Sequence, residues 1–381
     1  MTQKKDLGQF FTTNSNYILS GFEEAVRGKI VMDPFAGGGD LLRWAERNGA
    51  AATSGYDIDP NLISDEIQLN DSLKNIPYVP FNITNPPWLA KNKMTPKMKE
   101  SYPMDEYEDM YLLSIKKIME SGTDEGIIIV PVNFFSAENS DALRLEFMVN
   151  YQITKINYFR EQVFADTTYN AVAFHYKKSP SLIDEQTLHF TFFPDKQKKA
   201  FKVERRFQFR IAGRELSAFL GKKAVKTIRL TEDWLKHREH GRRISGFYND
   251  KSPKNIKRYE VSPERHELIK KNIILLNCID TNASEKGWIK AEDVRTLQQD
   301  CLVGKNTSRN IAHILLPDIP LKYQERIIPL FNEKLNQLRR DYDSLFLTNF
   351  RDNDRKRVSF EFCYKLITHC YEELKASDRS S

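Results

Sequence analysis

The stretch Val31-Met32-Asp33-Pro34-Phe35-Ala36-Gly37-Gly38-Gly39-Asp40 constrains the fold more than any other. It reads as a short apolar strand, a glycine turn and the start of a helix. Glycines at the carboxyl end of a strand allow positive φ and let backbone approach a ligand closely. The pattern then repeats. Asp40 to Asn48 has helical spacing, Ala51 to Tyr56 reads as a second strand, and Phe81 to Thr84 as another. Met110 to Glu120 reads as an amphipathic helix, followed by strands over Gly126 to Val132, Gln152 to Phe159 and Ala171 to Tyr176. Such alternation predicts a Rossmann-like α/β domain with a mixed, mostly parallel sheet.

At 381 residues the chain is too long for one ordinary domain, the prior being roughly 150 residues for each. Lys177 to Glu185, with its Lys-Lys-Ser-Pro-Ser run, reads as a linker. This divides the chain into a catalytic domain over 1–180 and a second domain over 181–381. Long charged helices over Leu321 to Leu345 and Phe360 to Lys375 make the second domain mixed α/β or α-rich.

Several classes are excluded at this level. The longest apolar stretch, Gly126 to Phe135, is well short of the about 18 residues that span a bilayer, so no membrane partner is expected. The first ten residues have lysines but no apolar run after them, which argues against a secretory signal. Cys278, Cys301, Cys363 and Cys370 form no CxxC pair and read as reduced thiols, not a zinc site. The expected setting is the cytoplasm.

The net charge of +6 hides an asymmetry. Between Asp195 and Glu260 there are 20 Lys and Arg against 8 Asp and Glu, while the rest of the chain is net acidic. Basic runs at Lys196 to Lys199, Arg205-Arg206, Lys222-Lys223 and Arg242-Arg243 are interleaved with Phe201, Phe207, Phe209, Trp234, Phe247 and Tyr248. A single run is ordinarily solvated surface. Clustered, these cations make a nucleic-acid phosphate backbone the natural partner. Arg205, Arg206, Lys222, Lys223, Arg242 and Arg243 are the candidate contacts, more as phosphate binders than as base readers. The polar run Lys305 to Arg309 could equally be an ordinary turn.

The glycine turn lacks the Gly-Lys-Ser/Thr of a P-loop and the spacing of a dinucleotide fingerprint. Asp33, just before it, disfavours a pyrophosphate and suits a ligand bearing an ammonium group. Asp57, ending the second strand, can accept both hydroxyls of a ribose. Asp71, followed by Ser72, can accept from an adenine amino group. In this order the acids describe a pocket for adenosine joined to an amino acid, that is, S-adenosylmethionine.

Asn85-Pro86-Pro87-Trp88 is the sharpest signal. An exocyclic amine on a nucleobase is a poor nucleophile because its lone pair is delocalised into the ring. It needs acceptors for both protons, and the Asn85 side-chain oxygen and the Pro86 carbonyl supply two, proline having no N–H. Trp88 offers a face for a base to stack on. No metal is required. In a duplex the base must first be flipped out of the stack.

Over roughly residues 6 to 178 these motifs resemble the DNA adenine N6 amino-methyltransferases of restriction–modification systems. Leu7 to Thr12 is similar to the N-terminal motif that closes over the methionine part of the cofactor. The resemblance implies cofactor contacts at Gln9, Phe10, Phe11, Thr12, Asp33, Pro34, Phe35, Ala36, Gly37, Gly39, Asp57, Ile58, Asp71, Ser72 and Asn85. It assigns the ribose to Asp57 and adenine packing to Ile58. It gives catalysis to Asn85, Pro86, Pro87 and Trp88, with Phe164 as a second aromatic against the flipped base. The motif order is like the gamma arrangement, with a target-recognition domain last. A companion restriction endonuclease is implied by the resemblance alone. Trp88 stands where Tyr or Phe is commoner, and Asp57 where Glu is frequent; both keep the chemistry. The same corner would also serve RNA, a protein glutamine amide or cytosine N4, and a silent DNA-binding module is the non-enzymatic alternative.

Overall fold

The computed structural model describes residues 12–235, 241–279, 289–351 and 355–380. The chain forms two compact units. The first runs to Gly213 and takes in Phe350 and Arg351; the second covers Arg214 to Asn349 and resumes at Arg355.

The first unit is built on a nine-stranded sheet. Its strands are β1 (Ile30–Asp33), β2 (Ala52–Asp57), β3 (Ile67–Leu69), β4 (Phe81–Thr84), β5 (Glu125–Pro131), β6 (Tyr151–Phe159), β7 (Ala171–Lys178), β8 (Glu185–Phe193) and β9 (Gln197–Glu204). They lie in the order β3-β2-β1-β4-β5-β7-β6-β8-β9. Strands β1 to β5 are mutually parallel, β7 runs antiparallel to both its neighbours, and β6 and β8 are again parallel. The expected Rossmann-like α/β fold is borne out. Ile127 to Val130 of β5 are fully buried, as a strand covered on both faces requires. The helix Asp40–Arg47 buries Leu41, Leu42, Trp44 and Ala45, and Met110–Glu120 buries Leu112, Leu113 and Ile115. Each of these Leu and Ile side chains contributes roughly 1.5–3 kcal/mol on leaving water.

The chain order reverses between β1 and β4, so their carboxyl ends flank the switch point where open α/β sheets bind ligands. That geometry positions the site.

One expectation is corrected. Residues 179–184 join β7 to β8 within a single sheet, so residue 180 is no domain boundary. The first unit extends to Gly213 because β8 pairs with β6 and β9 with β8. Arg205 and Arg206 therefore belong to the first unit.

The second unit is mixed α/β. It has an antiparallel four-stranded sheet of β10 (Ile228–Arg229), β13 (Ile274–Asn277), β14 (Lys290–Asp293) and β16 (Ile311–Leu315). A three-stranded sheet combines β11 (Arg242–Tyr248), β12 (Ile256–Val261) and β15 (Cys301–Val303). The two long helices are Leu321–Tyr342 and Phe360–Ser380. Among the described residues no helix is long and apolar enough to cross a membrane.

Candidate active site

The carboxyl ends of β1 and β4 are fastened to each other. The Thr84 hydroxyl donates to Asp33 Oδ1 at 2.7 Å, and the Phe35 N–H donates to the same oxygen at 2.9 Å. Asp33 is buried, and desolvation pushes its carboxyl up to about 7 in spite of these two bonds, which favour the charged form. It does not line the cleft. Its visible role is to shape the turn beneath the ligand rather than to present a free carboxylate.

The glycine turn follows. Gly37 has φ +53° and Gly39 φ +77°, the left-handed region that glycine enters without strain. The Gly37 N–H donates to Asp57 Oδ2 at 2.9 Å, and the Asp59 N–H to Asp57 Oδ1 at 2.8 Å. Burial raises the Asp57 pKa, while these backbone donors oppose the rise. With backbone donors from Gly37, Asp59 and Ile58 on about four acceptor positions, the carboxylate keeps capacity to accept a further hydroxyl.

A cleft of about 660 Å³ opens over this edge. Pro34, Phe35, Gly37, Asp57, Ile58, Asp71, Ser72, Asn85 and Pro87 line it, so the glycine turn, the two acids and the Asn85 corner share one space. Ala36, Gly39, Pro86 and Trp88 do not line it. Asn70, the first residue of the Asn70-Asp71-Ser72 motif, lines it as well, as do Leu73, Met98, Tyr102 and Met110, and sequence reasoning missed these last four. Leu73 directly follows that motif. Thr95-Pro96, an N-cap followed by proline at the first helical position, marked the short helix Pro96–Ser101, but nothing local said where that helix would fold.

Asn85 leaves β4 with its side-chain nitrogen donating to Thr12 Oγ1 at 3.2 Å. Thr12 thus ties the N-terminal motif to the catalytic corner. Gln9, Phe10 and Phe11 lie outside the described residues. Trp88 and Phe164 are both buried and touch, ring centroids 5.2 Å apart and planes at 82°. The structure brings this expected pair together, but edge to face. Phe164 sits in a tight turn: its backbone bridges Thr167, and Gln162 Nε2 donates to its carbonyl at 2.9 Å. Asn170 Nδ2 closes the turn's base by donating to the Phe159 and Arg160 carbonyls at 3.0 and 3.1 Å.

The cations divide differently from expectation. Strand β9 runs antiparallel to β8, and its eight residues carry the chain roughly 26 Å back to the opposite end of the strands. Arg205 and Arg206 lie there, facing Asp184 at 3.3 Å and Glu204 at 2.6 Å, away from the catalytic corner. The hairpin turn at Lys196, by contrast, lies on the catalytic edge, where the Arg160 N–H donates to the Phe193 carbonyl at 3.2 Å. In the second unit Lys222 pairs with Glu372 at 2.7 Å, Arg242 with Glu267 at 3.1 Å and Arg243 with Glu260 at 3.4 Å. Lys223 is exposed. Exposed pairs of this kind are weak and do not bar a phosphate. Among the described residues no cluster of three or more His, Cys, Asp or Glu side chains is arranged to hold a metal ion.

Residues 81–164 match the Eco57I restriction-modification methylase family. The type II methyltransferases M.HincII and M.HindII of Haemophilus influenzae are each 28% identical over 196 residues. That alignment covers 48% of this chain and 39% and 38% of theirs, so the chain spans about two fifths of the length of these relatives. Among solved structures, a type I restriction-modification methyltransferase subunit from Streptococcus thermophilus superposes with a TM-score of 0.34 at 16% identity, covering 49% of this chain and 47% of that one. The resemblance to restriction–modification methyltransferases, an S-adenosylmethionine-dependent class, is borne out.

Proposed function

We propose that the chain transfers a methyl group from S-adenosylmethionine to the N6 amine of an adenine flipped out of double-stranded DNA, as part of restriction and modification. The observation that carries this reading is the shared cleft: Asn85 lines it together with Asp57 and Asp71. An acceptor for an amine and acceptors for an adenosine face one volume.

The residues fit the cofactor. Asp57 would hold the ribose, Asp71 the adenine amine, and Ile58 and Phe35 the apolar faces. Bound there, S-adenosylmethionine supplies an electrophilic methyl on a positively charged sulfur. The chain's own residues do the rest. Asn85 Oδ1 and the Pro86 carbonyl accept hydrogen bonds from the two amine N–H groups and concentrate the lone pair on nitrogen, and the same oxygens stabilise the positive charge that develops there until one proton leaves to water. The bond from the Asn85 amide nitrogen to Thr12 Oγ1 orients the side-chain amide. Trp88 and Phe164 are the stacking faces for the extruded base.

Lys196 and Arg160, on the catalytic edge, are better candidates for DNA phosphate contacts by the first unit than Arg205 and Arg206. The second unit, with Lys222, Lys223, Arg242 and Arg243, is the proposed recognition domain. The Asn85→Ala variant tests the reading. Transfer to DNA should fall by roughly 10²–10³, the scale of one lost transition-state hydrogen bond, with S-adenosylhomocysteine affinity nearly unchanged. An active Asn85→Ala protein would count against it.

A further inference from the structure

The segment between the catalytic corner and the helix Met110–Glu120 is a closed loop. Its neck is a short antiparallel pairing: the Lys91 N–H donates to the Glu108 carbonyl at 2.9 Å, the Met110 N–H to the Leu89 carbonyl at 3.0 Å, and Ala90 bridges Asp109. Asp109 Oδ1 accepts from the Tyr111 N–H at 3.3 Å and caps the following helix. Met94 and Met104 anchor the loop in an apolar cluster with Leu73, Leu89 and Leu113. This anchoring presents Met98 and Tyr102 to the cleft, which Phe35 of the glycine turn also lines.

Tyr102 does more than fill space. Its hydroxyl lies 3.4 and 3.3 Å from the two oxygens of Asp71, long for O–H···O bonds but nearly equal. It rests across the carboxylate instead of capping one oxygen. Lys74 Nζ approaches Asp71 Oδ2 at 3.1 Å from a mostly exposed side chain. A mobile surface ammonium alone would let the carboxylate turn outward with it. The hydroxyl, carried on a ring set into the wall, fixes the carboxylate over the cleft and leaves acceptor positions on both oxygens. Burial and the Asp71 charge push the Tyr102 pKa up to about 12, so the group stays a donor.

We propose that Tyr102 is a positioning residue that holds Asp71 for the 6-amino group of a bound purine, and so makes the cofactor end of the cleft select adenine nucleosides. This rests on reading the cleft as an S-adenosylmethionine site. A purine with hydrogen at C6 has no proton to give Asp71 and gains nothing from the arrangement.

The test is calorimetric binding, to the full chain, of S-adenosylhomocysteine and of its analogue with hydrogen in place of the 6-amino group. Tyr102→Phe should weaken S-adenosylhomocysteine roughly fivefold, the scale of one ordinary hydrogen bond, as suits its long 3.3–3.4 Å contacts, and the analogue less than twofold, with the melting temperature unchanged. In an Asp71→Asn background the same substitution should cost little more, because the two act as a coupled pair. Equal weakening of both ligands, or no weakening of either, would overturn the proposal while leaving the cofactor reading intact. Failure of the unaltered protein to bind S-adenosylhomocysteine would remove the cofactor reading itself.

Discussion

The indole of Trp88 and the ring of Phe164 meet edge to face, their centroids 5.2 Å apart. A base stacked between two faces needs those faces parallel and roughly 7 Å apart, twice an ordinary carbon–carbon contact. On the proposed reading, the two rings fill the place of the base in its absence, and an incoming adenine would replace their contact with two stacking contacts. The contact given up is about 0.5–1.5 kcal/mol, small beside what two stacks return.

Phe164→Ala follows from this relationship. It removes one stacking face and leaves the cofactor cleft untouched. The expected result is KM for DNA raised roughly tenfold or more, from about 1–3 kcal/mol of lost stacking, with S-adenosylhomocysteine affinity unchanged. Fluorescence of 2-aminopurine at the target position should show a smaller flipped-base signal. Unchanged KM and signal would remove Phe164 from the base site.

Thr12→Val keeps the volume and deletes the acceptor that fixes the Asn85 amide. The amide is then free to turn its nitrogen, a donor, toward the target amine, where only an acceptor is useful. We expect kcat to fall several-fold, on the scale of about 1 kcal/mol for one hydrogen bond, with cofactor affinity little changed. A kcat equal to that of the unaltered protein would place the orienting group elsewhere.

The Asp33 carboxyl, raised to about 7, links stability to pH. The folded chain holds this proton more tightly than the unfolded chain does. The associated stability is present in full below the ordinary aspartate range and is lost as pH rises through about 7. Asp33→Asn should flatten that decline between pH 5 and 7 in thermal melts. Asp33→Ala should destabilise by about 1–3 kcal/mol, because the Phe35 N–H and the Thr84 hydroxyl lose their acceptor. An unchanged pH slope in Asp33→Asn would assign the titration to another group.

Charge reversal separates the two edges of the sheet. Lys196→Glu should weaken DNA binding and lower the salt slope by about one, the signature of one lost phosphate contact. Arg206→Glu, on the far edge, should change neither. The opposite outcome would restore Arg205 and Arg206 as DNA contacts.

β1, β2, β4, β5, β6 and β7 were legible as strand-like runs, and Asp33, Asp57 and Asn85 stand at the ends of β1, β2 and β4, whereas the three-residue β3 was too short to read. Asp57, Asp71 and Asn85 lie on separate strand ends yet line one cleft, as their order in the chain implied. The limits are equally physical. Lys177 to Ser181 has the composition of a linker, yet strand pairing by Glu185 to Glu204 lies beyond the reach of composition. The +12 segment was real as a count but is shared between two units, because sequence proximity does not say which edge of a sheet a strand returns to. Tyr102 was invisible for the same reason: its partner, Asp71, is 31 residues away.

The most direct measurement is nucleoside analysis of duplex DNA incubated with the full chain and S-adenosylmethionine labelled at its methyl. The expected label is in N6-methyldeoxyadenosine, and it disappears with Asn85→Ala. Label confined to N4-methyldeoxycytidine, to RNA or to protein, or no label from a chain that binds S-adenosylhomocysteine, would contradict the account.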